Sequence, residues 1–361
     1  MAKTLVYQLY PISWEGGLKA MTEHLEIIND LGADYIWLSP LYPSPRNDQG
    51  YDVADFEAID SRFGNFADFD NFIAKAHSYG IGVLMDLVLN HTSTEHQWFH
   101  EHPEYYCWTE LNYLHRWNNL LDGSKNTWVY DEDQREYYLH LFHETEADLN
   151  WFPWRNHINK NLVHEYRQIV KFWTIKHHVD GFRLSATQAI NKDLKWPELE
   201  LSSILFGGRA EEVIRAVFYD ASDLFLMMDC HDPTYGGLTD VYTENNQIDF
   251  VTNAMLKDAT TEGDEEFMKI IEAACSNSRF MLDLEAHNSI RFPARIGDVE
   301  KAICTMFTSG AEGICLYQGE ELGLISPTTK PLELVNYDSQ MNNSESNYNR
   351  TKKWIDYWKM H

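Results

Sequence analysis

The 361-residue chain has room for about two domains of ~150 residues or for one large barrel, which excludes a small scaffold held by disulfides. It carries 29 Lys and Arg against 56 Asp and Glu, a formal net charge of −27, and so acidic a surface repels the phosphate backbone of nucleic acids. With 44% hydrophobic and 24% charged residues the chain can bury a large core, so we expect a soluble globular protein with no nucleic-acid partner.

Short apolar runs of strand type alternate along the chain with stretches of helical period, which is the pattern of a parallel β/α architecture. The first unit has a strand at residues 6–10 and a helix at 18–31, whose end is marked by Gly32. The second has a strand at Tyr35–Leu38 and, after a proline-rich loop, a helix at 66–79 with Asn65 as its predicted N-cap. The third strand follows at 82–87.

The stretch between residues 90 and 156 breaks this alternation. The helical period is lost there, and Trp, Tyr, His and Asn dominate over a length too great for an ordinary β/α loop. We therefore expect an inserted subdomain at residues 91–156, between strand three and its helix, and a barrel built from residues 1–90 and 157–361.

The regular alternation resumes after the insertion. It predicts helices at residues 161–177, 210–218, 265–274, Val299–Thr308 and 350–359, and strands at 181–184, 224–228, 248–252, 280–284 and Gly313–Tyr317. Together with the first three strands these make eight, so the sequence predicts an α/β fold of the (β/α)8 barrel type, also called a TIM barrel. In such a barrel the functional side chains lie at the carboxyl ends of the strands.

Polar side chains directly follow several of the predicted strands. They are Tyr51 and Asp52 after strand two, Asn90 and His91 after strand three, Arg183 and Ser185 at strand four, Asp229 at strand five, and His287, Asn288 and Arg291 after strand seven. Taken singly, each has an ordinary alternative: Asp52 could cap a turn, His91 could be a core histidine, and Arg183 could pair with a carboxylate. Their convergence on one rim favours a polar pocket.

Nothing in the sequence points to a membrane. The longest apolar run, residues 81–89, contains Asp86 and is far shorter than the ~20 residues needed to cross a bilayer. The amino terminus lacks the pattern of a secretion signal, and the 5 cysteines are an odd number without a CxxC pair. We therefore expect a cytoplasmic protein with buried thiols and no membrane partner.

Several longer motifs occur in a characteristic order. They are IWLSP at 36–40, YPSP at 42–45, GYD at 50–52, DLVLNH at 86–91, YYLHLF at 137–142, DLNW at 148–151, DGFRL at 180–184 and YQGEELG at 317–323. In these motifs the chain resembles the alpha-amylase family of glycoside hydrolases, and within it the oligo-1,6-glucosidase and dextran glucosidase group. The resemblance implies a (β/α)8 barrel with an inserted subdomain that acts on α-linked glucosides by a retaining mechanism. The family's C-terminal β-sandwich is expected to be absent, because the sequence stops after the eighth strand and helix.

The three catalytic positions implied by the resemblance carry other residues here. The nucleophile position holds Ser185, the acid/base position holds Asp229, and the position of the third carboxylate holds Asn288. Retention needs two carboxyl groups ~5 Å apart, and a serine hydroxyl is not ionised near neutral pH. Asp229 is one methylene shorter than the family's Glu, and a misplacement near 1 Å can cost ~100-fold in rate. We expect a catalytically impaired protein that still binds α-glucosides or oligosaccharides.

The sugar-contacting positions implied by the resemblance are retained. They are Tyr51, Asp52, His91, Arg183, His287 and Arg291. Arg183 pairs in the family with the nucleophilic Asp, so we expect it to be under-paired here and able to favour an anion. Two alternatives stay open: an active retaining hydrolase or transglycosylase on α-1,6 or α-1,4 gluco-oligosaccharides, which uses Asp229 with a relocated partner such as Glu285 or Asp232, and a structural subunit that no longer binds sugar.

No cofactor and no metal ion is expected. The family's first loop often holds Ca²⁺, but residues 13–19 supply only the Glu15 carboxylate, whereas calcium takes six to eight oxygen ligands. Cys230, His231 and Asp232 look like ligands, yet three adjacent side chains rarely converge on one metal, and a loop is favoured. A protein partner is left open.

Overall fold

The computed structural model describes residues 3–110, 118–153, 157–190, 192, 209–230, 242–243, 247–258, 271–272, 275–325 and 337–361. In chain order its strands are β1 (Thr4–Leu9), β2 (Tyr35–Leu38), β3 (Gly82–Val88), β4 (His91–Ser93), β5 (Trp108–Thr109), β6 (Trp128–Asp131), β7 (Glu136–Leu139), β8 (Glu146–Asp148), β9 (Gly181–Ser185), β10 (Phe225–Cys230), β11 (Phe250–Asn253), β12 (Met281–Leu282) and β13 (Gly313–Tyr317).

Eight of these strands form one parallel sheet, in the order β11, β10, β9, β3, β2, β1, β13, β12. A parallel bridge between Val251 and Phe280 links the two ends of this sheet, which makes it a nearly closed barrel. Inside it lies a layer of apolar side chains that includes Val6, Trp37 and Met227. The predicted (β/α)8 fold class is confirmed.

The helices are α1 (Gly17–Leu31), α2 (Phe66–Ser78), α3 (Gln97–Glu101), α4 (Lys160–Lys171), α5 (Ala210–Val217), α6 (Ala254–Asp258), α7 (Phe292–Ile296), α8 (Val299–Thr308), α9 (Tyr337–Met341) and α10 (Asn347–Met360). The predicted N-cap of α2 is present, because the Asn65 side chain accepts hydrogen bonds from the backbone of Ala67 at 2.9 Å and of Asp68 at 3.2 Å. Helix α1 ends at Gly32, whose φ of +80° is the left-handed conformation that glycine favours.

The predicted elements agree with the structure to within a few residues. The strands at Tyr35–Leu38 and Gly313–Tyr317 and the helix at Val299–Thr308 have the predicted bounds. Strand β12 is shorter than predicted, because only Met281 and Leu282 pair with β13. Helix α4 ends earlier than predicted and continues as a π-helical turn at Phe172–Lys176. Most of the helix predicted at 265–274 lies outside the described residues.

Between β3 and α4 the chain forms two small antiparallel sheets apart from the barrel strands. One pairs β4 with β8, and the other has the order β5, β7, β6. The first is tied to the barrel, since the backbone N–H of Leu149 donates to the carbonyl of Asn90 at 2.8 Å. These sheets place His91 and Phe142 beside the carboxyl ends of the barrel strands, where both line a cavity.

No helix in the described ranges combines the length and the apolar character that a bilayer-spanning segment requires.

Candidate active site

A cavity of about 590 Å³ opens at the carboxyl ends of the barrel strands, within the ~300–1,000 Å³ typical of small-molecule sites. Its wall is formed by Trp37, Asp48, Gln49, Tyr51, His91, Asn118, Asn119, Leu120, Leu121, Gly123, Phe142, Arg183, Ser185, Ala186, Asp229, Ala254, Lys257, Ala286, His287, Asn288 and Ser289. Most of the polar residues that the sequence placed at this rim therefore share one cavity.

Arg183 is the central charge of the cavity. Its Nη1 donates to Asp86 Oδ1 at 3.0 Å, its Nη2 donates to Asp229 Oδ2 at 2.5 Å, and its guanidinium lies 4.6 Å from the centre of the Trp37 ring. Burial opposes its charge, but Asp229 and Asp86 raise the pKa of Arg183 above its usual value. The expectation that Arg183 is under-paired is wrong, because Asp229 takes up the second arm of the guanidinium.

Asp86 lies on β3 beneath the cavity and is fully buried. The register of the sheet sets Asp86 directly beside Arg183 on β9. Its second oxygen, Oδ2, accepts hydrogen bonds from Trp37 Nε1 at 2.9 Å and from the Tyr51 hydroxyl at 3.0 Å. Burial raises the pKa of the Asp86 carboxyl, and the Arg183 charge acts against that rise. Asp86 thus fixes the orientations of an arginine and two aromatic rings that face the cavity.

His287 is a buried side chain that lines the cavity after β12. Its ring is stacked against Tyr51, with centroids 5.2 Å apart and planes at 19°, and lies 4.9 Å from the Tyr10 ring. Burial, followed by the charges of Arg183 and Lys257, lowers the pKa of His287 to about 3. The imidazole is therefore neutral near pH 7 and can exchange hydrogen bonds with hydroxyl groups.

A second part of the wall is acidic. His91 Nε2 lies 3.3 Å from Glu146 Oε1 of β8, and burial together with Glu146 raises the pKa of Asp48 to about 6. The Glu146 carboxylate also raises the pKa of His91, although burial alone would lower it. Sequence reasoning did not single out Asp48, although it lies in the same loop as Tyr51 and Asp52.

Ser185, Asp229 and Asn288, the residues that the sequence resemblance assigned to catalytic positions, all lie on the cavity wall. Ser185 and Asn288 make no side-chain hydrogen bond within the described ranges, and neither supplies a carboxyl group. Asp229 is 18% exposed, and its Oδ2 is engaged by Arg183. Ala186, which follows Ser185, has a φ of +53°, an unusual conformation for a residue with a Cβ that is often found at functional sites.

Two predicted sugar contacts lie outside the cavity wall. Asp52 accepts hydrogen bonds from the Ser44 hydroxyl and from the Asn47 backbone, the latter at 2.8 Å, so it braces the loop after β2. Arg291 donates to Glu285 Oε1 at 3.1 Å and to the Gln318 carbonyl at 2.9 Å. The geometry therefore offers no direct support for a ligand contact by either residue.

Glu285, the predicted substitute nucleophile, is buried and has both oxygens engaged. Oε1 accepts from Arg291, and Oε2 accepts from the Phe292 backbone at 2.8 Å. Glu285 is not on the cavity wall. Asp232, the other predicted substitute, and His231 lie outside the described residues.

Lys257 on α6 is a cavity residue that sequence reasoning did not predict. Its Nζ lies 2.6 Å from Asp283 Oδ2, and the two side chains are only 7% and 2% exposed. Burial raises the pKa of Asp283 to about 6, although the Lys257 charge opposes the rise. The two residues are distant in sequence and follow no short motif, so only the fold reveals the pair.

The outer wall of the cavity includes a turn at residues 118–123. The Asn119 side chain holds this turn, since its Nδ2 donates to the Phe142 carbonyl at 2.5 Å and its Oδ1 accepts from the Leu121 backbone at 2.8 Å. The turn presents Leu121, which is 56% exposed, at the mouth of the cavity.

Within the part of the chain that the structure describes, no group of three or more His, Cys, Asp and Glu side chains is arranged to hold a metal ion. All 5 cysteines are described, and all are free thiols.

Comparison with known proteins identifies the family of this chain. Residues 8–356 match the family described as alpha amylase, catalytic domain. Oligo-1,6-glucosidase of Heyndrickxia coagulans is 38% identical over 218 residues, which cover 55% of this chain and 38% of that protein. Trehalose-6-phosphate hydrolase of Escherichia coli (strain K12) is 37% identical over 211 residues, 54% of this chain and 37% of that protein. The match thus spans less than two fifths of these relatives' length.

Solved structures show the same fold. Trehalose-6-phosphate hydrolase of Bacillus licheniformis superposes with a TM-score of 0.83 at 24% identity, over 100% of this chain and 84% of that chain. Isomaltulose synthase of Protaminobacter rubrum superposes with a TM-score of 0.85 at 19% identity, over 99% of this chain and 83% of that chain. At such identities the likeness is one of fold.

Proposed function

The chain belongs to the alpha-amylase catalytic-domain family and is alpha-glucosidase-like, and from this premise we propose that it binds α-glucosides or oligosaccharides with impaired hydrolysis. The cavity at the carboxyl ends of the strands is the proposed binding site. Tyr51, His91, Arg183 and His287 are its proposed ligand contacts. Asp52 and Arg291 contribute from behind the wall by holding the loops that carry these contacts.

This proposal depends on the side chains at positions 185, 229 and 288, where the resemblance implies catalytic carboxylates. Retaining hydrolysis needs a nucleophilic carboxylate and a second carboxyl group that passes a proton to the leaving oxygen, ~5 Å apart. Ser185 and Asn288 supply neither, and Asp229 Oδ2 is committed to Arg183 at 2.5 Å. An oxocarbenium-like transition state would therefore lack carboxylates at positions 185 and 288 and would meet an Asp229 carboxylate already paired with Arg183, while hydroxyl groups of a sugar can still be hydrogen-bonded.

The organisation and cellular location follow as parts of the same proposal. We assign residues 91–156 to an inserted subdomain and residues 1–90 and 157–361 to the barrel, which is supported by the two separate small sheets between β3 and α4. The free thiols of all 5 cysteines support a reducing compartment such as the cytoplasm.

The test is a prolonged incubation of the pure protein with p-nitrophenyl α-glucoside, maltose, isomaltose and isomaltotriose. Ser185→Ala and Asp229→Ala are the matched variants, and released glucose is the readout. The proposal expects no release above the variants' background, together with saturable binding of methyl α-glucoside by calorimetry. Glucose release that Asp229→Ala abolishes would overturn the claim of impairment.

The names of the relatives favour a second candidate, an active hydrolase or transglycosylase. Two of the relatives described above, oligo-1,6-glucosidase of Heyndrickxia coagulans and trehalose-6-phosphate hydrolase of Escherichia coli (strain K12), carry the names of hydrolytic enzymes. This candidate needs Asp229 and a relocated nucleophile. Since Glu285 is held by Arg291 and the Phe292 backbone, the nucleophile would have to come from elsewhere in the cavity.

A further inference from the structure

The proposed function gives no role to the ammonium of Lys257, a charged group on the cavity wall. Its Nζ forms an ion pair with Asp283 at 2.6 Å, which is its one polar contact among the described residues. An ammonium group has three N–H donors. At least two of them therefore remain available at the cavity wall, on a side chain that is 93% shielded from water by the protein.

Two other residues of the cavity wall are neutral hydrogen-bond donors. The Ser185 hydroxyl and the Asn288 amide line the same cavity and have no hydrogen-bond partner among the described residues. Arg183 and Lys257 both lie on this wall, and after burial their charges help to lower the pKa of His287 to about 3. Of the two acidic wall residues, Asp229 is paired with Arg183, and Asp48 lies near His91 and near Glu146, which is behind the wall.

We propose that Lys257, assisted by Ser185 and Asn288, binds an oxyanion carried by the sugar ligand, either a carboxylate or a phosphate. This inference rests on the proposed sugar-binding function and narrows its ligand to acidic sugars. Hydrogen bonds from an ammonium to an oxyanion are about twice as strong as those between neutral groups. An oxyanion on the ligand would accept hydrogen bonds from Lys257, Ser185 and Asn288, whereas a neutral glucoside has no charged acceptor for the ammonium.

Asp283 does not cancel this preference. Its carboxylate is 2% exposed and is not part of the cavity wall, whereas Lys257 lies on that wall and can donate to a second acceptor there. Neither Asp283 oxygen has a hydrogen bond of regular geometry within the described ranges, so within them the ion pair with Lys257 is the contact that balances this carboxylate. A bound oxyanion would share Lys257 with Asp283, as Arg183 is already shared between Asp86 and Asp229.

The experiment is isothermal calorimetry on the full chain with four probes. They are D-gluconate, α-glucose 1-phosphate, methyl α-glucoside and inorganic phosphate. We expect gluconate or glucose 1-phosphate to bind about tenfold more tightly than methyl α-glucoside, equivalent to about 1.4 kcal/mol. Gluconate alone identifies a carboxylate as the preferred acceptor, and glucose 1-phosphate alone identifies a phosphate. Binding of inorganic phosphate as tight as that of both acidic sugars would overturn the proposal, because the sugar would then add nothing.

The variant Lys257→Met should lose that tenfold preference while its affinity for methyl α-glucoside changes less than about threefold. Lys352→Met is the matched control, because it removes a lysine that also pairs with an aspartate, Asp30, but on the surface between α10 and α1. Where Lys257→Met unfolds because Asp283 is left buried without a cation, the double variant Lys257→Met/Asp283→Asn removes both charges and carries the test. An unchanged preference in either variant overturns the proposal.

The two levels of inference fail differently. Saturable methyl α-glucoside binding without any gain for the acidic sugars overturns the oxyanion site and leaves the proposed function standing. The absence of binding by all three sugars overturns both. Binding of an acidic sugar alone, lost in Lys257→Met, supports the oxyanion site and restricts the proposed ligand to that class.

Discussion

Asp86 and Asp283 are both buried carboxylates that pair with a cation of the cavity wall, Arg183 and Lys257 respectively, yet their hydrogen bonding differs. Asp86 accepts one hydrogen bond from Arg183 on Oδ1 and two from Trp37 and Tyr51 on Oδ2. Asp283 has only the ion pair with Lys257, and among the described residues neither of its oxygens makes a hydrogen bond of regular geometry.

This difference in hydrogen bonding indicates different roles, a structural one for Asp86 and a proposed ligand-binding one for the pair of Asp283 and Lys257. A buried carboxylate is tolerated when its oxygens are hydrogen-bonded and its charge is paired, which holds for Asp86. The Asp86 cluster therefore fixes the floor of the cavity whatever the ligand. The Asp283 pair is left incomplete, and its Lys257 lies on the cavity wall, where the proposed oxyanion would accept the remaining hydrogen bonds.

The largest expected effect comes from keeping the Asp86 and Arg183 floor and restoring carboxylates around it. The triple variant Ser185→Asp/Asp229→Glu/Asn288→Asp should gain hydrolysis of p-nitrophenyl α-glucoside ~100-fold or more above the single variant Ser185→Asp, because general acid catalysis alone contributes ~100-fold or more. The release of p-nitrophenol measures it.

The matched control is Ser185→Asn/Asp229→Gln, which fills similar volumes without adding carboxylates and should stay inactive. A triple variant that folds and releases nothing would show that the floor is not preserved in a competent geometry.

A second prediction removes the satisfied carboxylate. Asp86→Asn should lower the free energy of unfolding by about 3–5 kcal/mol, since it breaks a buried ion pair and leaves the Arg183 charge with one partner fewer. Urea unfolding followed by circular dichroism measures the loss. A cost below about 1 kcal/mol would contradict the view that Asp86 organises the floor.

The third prediction concerns the effect of the Asp283 carboxyl group on how stability depends on pH. Its pKa is raised from 3.8 to about 6 by burial, so the folded protein binds more protons than the unfolded chain between these values. Stability contributed by this group is therefore lost as the pH rises from about 4 to about 6, by up to about 3 kcal/mol. Asp283→Asn should remove that part of the pH dependence.

The measurement is the difference in unfolding free energy between wild type and Asp283→Asn at several pH values from 4 to 7. The difference should favour wild type at the acidic end and decline as the pH rises. A difference that grows with pH would mean that the ion pair with Lys257 outweighs the cost of burial.

The smallest expected effect on stability comes from removing one hydrogen bond to Asp86, so that this carboxylate, like Asp283, has an oxygen with fewer partners. Tyr51→Phe deletes one donor to Oδ2 and should cost about 1–2 kcal/mol of unfolding free energy. Tyr130→Phe, on the exposed side of β6, is the control and should change stability by less than about 0.5 kcal/mol. Equal effects of the two variants would contradict a hydrogen-bonding role for the Tyr51 hydroxyl.

The strands and most helices could be predicted because apolar periodicity and capping residues are local signals. The short apolar run of β2 and the Asn65 cap of α2 are each recognised within a few residues of sequence. The rim position of Arg183, Ser185 and Asp229 followed from a general property of parallel barrels. The pairing of Arg183 did not, because it depends on which carboxylates the register sets beside it.

The loop after β2 likewise could not be predicted from local sequence, because backbone geometry decides which of its aspartates reaches the cavity. Sequence reasoning chose Asp52 as a ligand contact, but Asp48 reaches the cavity wall while Asp52 turns inward to Ser44 and Asn47. The outcome depends on backbone geometry, because Gln49 and Gly50 both have positive φ angles, of 54° and 108°. Lys257 and Asp283 meet only because β11 and β12 are neighbours at the closure of the barrel.

The exposed Leu121 has a consequence for the thermodynamics of ligand binding. The turn held by Asn119 keeps this leucine at the mouth of the cavity with 56% of its surface in contact with water. A ligand that fills the mouth must displace that water, and the dehydration of apolar surface lowers the heat capacity of the complex. The binding enthalpy should therefore become more favourable with rising temperature, as expected when a ligand buries the exposed surface of Leu121.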